Sequence, residues 1–237
     1  MRILGPVDVK GLATSFDRRP RVTELVVYLA LHRDGCSGDA MSAAIWPDRR
    51  VPVQTLSNRL SEVRQALGDT STGEPRLRRV SGRHVLAADV RTDWEDFQEL
   101  SGTGTDPQQW RRALELVRGR PFEGLPESGW ALLEGFVPSM EGRVVEVACR
   151  LASRCLDDGD ATRAEWAVRK GLLTSPWDER LYRMLMVVSH AVGNRGGIES
   201  ALRSLAHVLD WRGDPLEAVH SETAQLYRQL VVDRALG

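Results

Sequence analysis

Long apolar runs and paired cysteines are absent from this sequence, and each absence excludes a class of protein. No apolar run approaches the roughly 20 residues that a membrane-spanning helix needs, and the N-terminal residues lack the apolar core of a secretory signal. The three cysteines, Cys36, Cys149 and Cys155, have neither metal-binding nor disulfide spacing. We therefore expect a cytoplasmic protein with no membrane contact in this chain, in which the cysteines are small buried residues.

Common catalytic motifs are also absent. The sequence has no glycine-rich phosphate loop, no HExxH motif and no GxSxG motif, and its five histidines are scattered without the spacing of metal ligands. We expect no catalytic residues, no metal site and no cofactor, which argues against an enzyme. A small effector molecule stays an open alternative.

Lysine is scarce, because Lys10 and Lys170 are the only two, so arginine supplies nearly all positive charge. The formal net charge of −1 is unevenly distributed. Residues 1–90 hold 14 Lys and Arg against 10 Asp and Glu, a net of +4, whereas residues 91–237 carry a net of −5. This asymmetry favours a nucleic-acid-facing first part, although it is milder than in a strongly basic DNA-binding domain.

Residues 1–90 have the pattern of a winged helix-turn-helix, a small α+β domain. Short strands are predicted at 2–9 and about 12–16, followed by a helix that begins at Pro20 and a shorter one that Ser37 caps. The third helix, 51–68, has apolar residues at helical spacing, and a hairpin of two strands, at about 76–81 and 83–87, follows it. This order makes 51–68 the helix that would enter a DNA major groove.

Residues 91–237 are predicted to form an all-α domain, because the apolar period changes from two to 3.6 near residue 90. A shift of 34 residues aligns Gly159 with Gly193 and Trp177 with Trp211. Thirty-four is the tetratricopeptide period, in which pairs of helices stack side by side. The predicted helices lie at about 92–101, 107–118, 128–136, 139–157, 161–174, 178–192, 196–211 and 220–235.

A resemblance to a known family is carried by residues 2–9, 25–31, 45–47, 55–68, 118–124, Trp130 and 176–182. Through these residues the chain resembles the SARP-type regulators, which join an OmpR-like winged helix to a bacterial transcriptional activator domain. The resemblance implies DNA-binding transcriptional regulation, with the helical domain contacting the transcription machinery or another protein. The chain is also similar to the variant of this domain pair that ends much longer proteins, where residue 1 would be an internal position.

The predicted recognition helix presents a polar face. Whether the residues of this face can bind DNA distinguishes a DNA-binding regulator from other functions. This face is predicted to carry Gln54, Thr55, Asn58, Ser61, Glu62 and Gln65, with Arg59 and Arg64 on its flanks. Asn and Gln can read adenine, and Ser and Thr can bind phosphates. A helical wheel puts Glu62 near the middle of this face, where a carboxylate needs cytosine or an arginine as its partner. In the resembled family the positions of Glu62 and Gln65 are usually basic.

Arginines also crowd the hairpin that follows this helix and the turn that precedes it. The candidate contacts to DNA phosphates are Arg76, Arg78, Arg79, Arg83 and His84 in the hairpin, and Arg49 and Arg50 before the helix. The hairpin could act as a wing on the minor groove. The alternative is a solvated surface of a chain that uses arginine at nearly every basic position.

Two hypotheses of function remain. The first is a DNA-binding transcriptional regulator, acting as a homodimer on two half-sites. The second is a protein-interaction or ligand-sensing module of a larger signalling protein, whose winged helix binds DNA weakly or not at all. Glu62 and Gln65 on the polar face favour the second hypothesis, as does the binding surface that helical repeats commonly provide.

Overall fold

The computed structural model describes residues 1–12, 19–104, 106–126 and 129–232. The first part of the chain contains α1 (Pro20–Leu31), α2 (Gly38–Ile45), α3 (Val53–Leu67), β1 (Leu77–Val80) and β2 (Arg83–Leu86). The rest contains α4 (Asp93–Ser101), α5 (Pro107–Glu115), α6 (Trp130–Leu133), α7 (Phe136–Asp157), α8 (Ala161–Thr174), α9 (Glu179–Ala191), α10 (Arg195–Val208), α11 (Pro215–Ala218) and α12 (Ser221–Val232). Within the described residues, no helix is long and apolar enough to cross a membrane.

The chain forms two compact units. The first unit comprises Met1–Asp96 and Pro121–Ser139, and the second comprises Phe97–Arg120 and Met140–Gly237. The predicted domain edge near residue 90 stays a prediction, because a compact unit need not end where a domain ends. What the packing adds is that residues 121–139 fold with the first unit.

The first unit contains the predicted winged helix-turn-helix. Pro20 occupies the first turn of α1, and the Ser37 hydroxyl caps α2 by accepting the Ala40 N–H at 3.2 Å. The helix α3 ends at Gly68, whose φ of +61° suits glycine. β1 and β2 then pair antiparallel, with Leu77 opposite Leu86. The apolar faces of the three helices are buried together, which stabilises this part of the chain.

The strand predicted at 2–9 is not formed, although the turn that the sequence indicates at Gly5 and Pro6 is present. The segment forms isolated bridges only, between Arg2 and Asp8 and between Pro6 and Glu123. The physical reason is the turn at Gly5, with φ +135°, followed by a proline that cannot donate a backbone hydrogen bond. The buried N–H groups of Ile3 and Leu4 instead donate to the carboxylate of Asp93, at 2.7 and 3.3 Å. The strand predicted at about 12–16 lies mostly outside the described residues.

Residues 121–139 are held against α1 by Trp130 and Glu134. The Trp130 Nε1–H donates to Glu24 Oε1 at 3.1 Å, and the Glu24 side chain is fully buried. Arg21 donates to the second oxygen of the same carboxylate at 2.8 Å. Glu134 contacts the His32 ring at 2.8 Å. The predicted helix at 128–136 is therefore short, and α7 begins soon after Gly135, whose φ is +80°.

The second unit repeats a helix–turn–helix element, as the 34-residue period predicts. The helices α8 and α10 begin 34 residues apart, after residues that serve the same capping role. Asp160 accepts the N–H of Arg163, and Asn194 accepts the N–H of Gly197, both at 2.9 Å. The two segments therefore share the capping interaction that starts equivalent helices, although Asp160 and Asn194 are different residues.

The start of α12 is capped by a residue of another helix, Glu179 at the start of α9. Its carboxylate accepts the backbone N–H of His220 at 3.0 Å and the hydroxyl of Thr223, a buried residue. Arg183 donates to the same hydroxyl at 2.9 Å. Glu179 thus satisfies donors that the first turn of α12 leaves without partners inside the helix.

We expect Glu179→Ala to lower the free energy of unfolding of the second unit by about 1–2 kcal/mol, the effect of a lost helix cap. Amide hydrogen exchange in α12 and thermal denaturation measure this. The control is Glu199→Ala, because Glu199 makes a more exposed contact with Arg195 at 3.4 Å and should change stability by less than about 0.5 kcal/mol. Equal effects of the two variants would contradict the capping role.

Candidate nucleic-acid interface

The helix α3 has a sharply divided surface. Five residues are buried: Leu56, Leu60, Val63, Ala66 and Leu67. Six residues are exposed: Val53, Gln54, Ser57, Asn58, Ser61 and Gln65. We call these six residues the outward face of α3. It contains amides, hydroxyls and one apolar side chain, but no charged group, so what it offers is hydrogen bonding and not attraction to phosphate.

The prediction that Glu62 occupies the middle of this face is wrong. Its side chain is only 27% exposed and lies on the flank. It accepts a hydrogen bond from Arg59 at 2.8 Å and one from Arg19 at 3.3 Å. Two causes move it off the face: the buried side of the helix extends to Ala66, and Arg19 from the start of α1 approaches Glu62. The arginine partner that a carboxylate needs beside DNA is therefore present twice.

The remaining residues predicted on α3 are divided between face and flank. Gln54, Asn58, Ser61 and Gln65 lie on the outward face. Thr55, Arg59 and Arg64 are half-buried beside it. The Arg64 Nε–H donates to the carbonyl of Leu77 at 3.2 Å, which ties the helix to β1. Arg59 and Arg64 therefore lie on the flanks of the outward face of α3, as predicted.

Two of the hairpin arginines hold the hairpin in place. Arg76 donates to Asp89 at 2.8 Å and to the carbonyl of Leu67, at the end of α3, at 2.9 Å. Arg83 donates to the carbonyls of Asp34 and Gly35, at 3.1 and 2.5 Å. Because these guanidinium groups are engaged within the unit, they are poorly placed to be the main contacts to DNA.

Arg19 and Arg83 are exposed but engaged in the hydrogen bonds given above, and further exposed positive charge belongs to Arg49, Arg50, Arg78 and Arg79. Arg78 lies 3.7 Å from the exposed Glu74, a weak contact. Arg79 is opposite His84 in the hairpin. Burial lowers the pKa of His84, and the nearby charges of Arg79 and Arg64 lower it further. His84 is therefore uncharged at neutral pH, and its Nδ1 atom is shielded without a hydrogen-bond partner.

Sequence reasoning missed three residues of this region. Val53 is 86% exposed at the first position of α3, and Ser57 is exposed one turn later. The four-residue spacing of Val53, Ser57 and Ser61 was a signal that could have placed them on one face. Arg19 had no comparable signal, because it lies 43 residues from Glu62 in the chain.

Comparison with known proteins defines the class to which this architecture belongs. Residues 103–212 match the bacterial transcriptional activator domain. The chain therefore joins a winged helix-turn-helix to this domain, the arrangement of a SARP-type regulator, and the resemblance seen in the sequence is confirmed. Such regulators are a class of non-enzymatic proteins.

A solved structure shows the same fold. The chain is similar to EmbR from Mycobacterium tuberculosis, determined in complex with a low-affinity phosphopeptide, with a TM-score of 0.69 and 18% sequence identity. The similarity covers 98% of this chain and 64% of the EmbR chain, so the chain spans about two thirds of its length. No curated protein matches the sequence. In the part of the chain that the structure describes, no cluster of His, Cys, Asp or Glu could hold a metal ion.

Proposed function

We propose that the protein is a DNA-binding transcriptional regulator of the cytoplasm, in which α3 enters the major groove and the hairpin β1–β2 acts as the wing. The helical domain would contact the transcription machinery or another protein. The observation that carries this proposal is the placement of Glu62. Its carboxylate is paired with Arg59 and Arg19 on the flank of α3, so it does not repel a phosphate backbone from the outward face.

The exposed arginines support the same assignment. Arg49 and Arg50 precede α3, and Arg78 and Arg79 lie in β1. Exposed positive charge therefore occurs both before α3 and in the hairpin that follows it. Contacts to phosphates supply most non-specific affinity and fix the orientation of a protein on DNA. The neutral outward face is then free to read base edges.

We expect the intact chain to bind a random-sequence duplex at 50 mM salt and to bind it much more weakly at 200 mM. The double variant Arg78→Gln and Arg79→Gln should lower the slope of log affinity against log salt by about 1–2, because each lost phosphate contact removes about 0.9. Fluorescence anisotropy measures both quantities. The matched control is Arg195→Gln with Arg203→Gln, two exposed arginines of α10, which should leave the slope unchanged.

A second candidate function is an interaction or ligand-sensing module whose winged helix does not use DNA. The neutrality of the outward face favours it, because the face itself offers phosphates no cation. Absence of binding at 50 mM salt would contradict the DNA proposal and support this second candidate. The homodimer and the small effector stay predictions.

A further inference from the structure

The N-terminal half of the outward face carries a hydrogen-bonded amide pair beside an exposed apolar residue. We propose that Gln54 and Asn58 together select an adenine, and that Val53 selects a neighbouring thymine, in the major groove of the bound DNA. This inference rests on the proposed function and deepens it, because it names the base pairs that the recognition helix reads.

The internal bond of the amide pair leaves one carbonyl oxygen and one NH2 group unused. The Gln54 Nε2–H donates to Asn58 Oδ1 at 2.8 Å, and both side chains are exposed one helical turn apart. A carboxamide has one oxygen acceptor and one NH2 donor group. With this bond made, the Gln54 oxygen and the Asn58 NH2 group remain wholly unused, and the Gln54 NH2 group keeps one further N–H. Exchanging oxygen and nitrogen in both amides leaves the same set, so the result does not depend on how the amides are oriented.

Adenine is the base whose major-groove edge complements this set. It presents the N6 amino donor beside the N7 acceptor, whereas guanine presents two acceptors, O6 and N7. At guanine, an arrangement that places the unused NH2 group at N7 sets the unused amide oxygen against O6, and two acceptors then lie together without a proton between them. Because an unpaired polar group in an interface loses its hydrogen bonds to water, this arrangement discriminates against guanine.

Arginine, the usual partner of guanine, is also missing from the outward face. Arg59 is bonded to Glu62, and Arg64 is bonded to the Leu77 carbonyl, both on the flanks of the helix. A guanine in the groove would therefore meet amides and hydroxyls and no guanidinium group on this face. The outward face therefore offers amide partners for an A·T pair and no guanidinium group for a G·C pair.

Val53 adds an apolar contact next to the amide pair. It is 86% exposed and is the first residue of α3, the end of a recognition helix that contacts bases. The thymine C5-methyl group is the apolar feature of the major-groove edge. Burying both methyl-bearing groups against each other removes apolar surface from water and favours a thymine beside the adenine.

The test combines altered bases with altered residues. Duplexes that the intact chain binds are first enriched from a random pool. In the enriched sequence, the proposed adenine is then replaced by 7-deazaadenine, which removes the N7 acceptor. In separate duplexes, the neighbouring thymine is replaced by uracil, which removes the methyl group. We expect the 7-deaza substitution to weaken wild-type binding about five- to tenfold, the lower part of the range for a base contact.

The variant arms separate readout from general affinity. In Gln54→Ala with Asn58→Ala the 7-deaza effect should disappear, whereas in Gln65→Ala, at the other end of the outward face, it should persist. Val53→Ala should abolish the preference for thymine over uracil. Enrichment of G·C at these steps, or an equal 7-deaza effect in the double variant and in wild type, overturns the inference while the proposed function stands. Failure to bind any duplex at 50 mM salt overturns both.

Discussion

Trp130→Ala is expected to lower the free energy of unfolding of the first compact unit by about 3–5 kcal/mol, the range for removing a large buried aromatic side chain. The indole is only 4% exposed. It packs edge-on against Tyr28, with ring centroids 4.9 Å apart, and against Phe136 at 6.0 Å. The substitution leaves a cavity between α1 and residues 121–139.

The same variant also removes a hydrogen-bond donor from a buried carboxylate. Glu24 is fully buried and would keep Arg21 as its partner, but Oε1 would lose the Trp130 N–H. An unsatisfied buried polar group costs about 1–3 kcal/mol. Trp130→Phe separates the two contributions, because it keeps most of the apolar contact and removes the donor.

Amide hydrogen exchange of α1 is the measurement, since it reports the stability of the helix that Trp130 contacts. The control is Leu133→Ala in the same short helix, where the side chain is 85% exposed; it should change stability by less than about 0.5 kcal/mol. If exchange in α1 is unaffected by Trp130→Ala, residues 121–139 do not stabilise the winged helix.

Gly35→Ala is expected to destabilise the first unit by about 2–5 kcal/mol and to weaken DNA binding by displacing the wing. Its φ of +78° costs an L residue about 1–2 kcal/mol. A Cβ atom there would lie 2.6 Å from Val85 Cγ2 and 2.9 Å from the His84 carbonyl oxygen. Overpacking of this kind adds about 1–3 kcal/mol.

The clash involves the backbone of β2, so side-chain rotation alone cannot relieve it. Cys36 and His84 exchange two backbone hydrogen bonds, of 3.0 and 2.7 Å, which hold this loop to the wing. The matched control is Gly73→Ala, which has φ +81° but no atom within 4 Å of the added Cβ. The free energies of unfolding from denaturant titration should differ between the two variants by the overpacking cost, about 1–3 kcal/mol. Equal free energies would show that the loop and the wing move apart freely.

Local sequence signals predicted most of the secondary structure because helix periodicity and capping act over a few residues. The helix at 51–68 was observed as Val53–Leu67, and the 34-residue repeat placed α8 and α10 correctly. The strand at 2–9 failed for one local and one distant reason: the turn at Gly5 interrupts it, and its buried donors have a distant partner. The buried N–H groups of Ile3 and Leu4 depend on Asp93, about 90 residues away in the chain, and no local pattern contains that information.

The candidate site shows the same limit. The position of the helix α3 and most of the residues on its outward face were predictable from spacing. The neutralisation of Glu62 was not, because Arg19 is distant in sequence and its side chain could have faced solvent. The roles of Arg76 and Arg83 also required the fold, since composition alone cannot distinguish an arginine that binds phosphate from one that binds backbone carbonyls.

The pairing of Glu62 with two arginines places a control of charge outside the outward face of α3. A change at Glu62 would release Arg59 and Arg19 together, on the flank of α3, without altering any residue of the outward face. Attraction to the phosphate backbone would rise while the pattern of base contacts stayed the same. Under the proposed function, the affinity for DNA would therefore change with residue 62 alone, while the face that contacts the bases stayed the same.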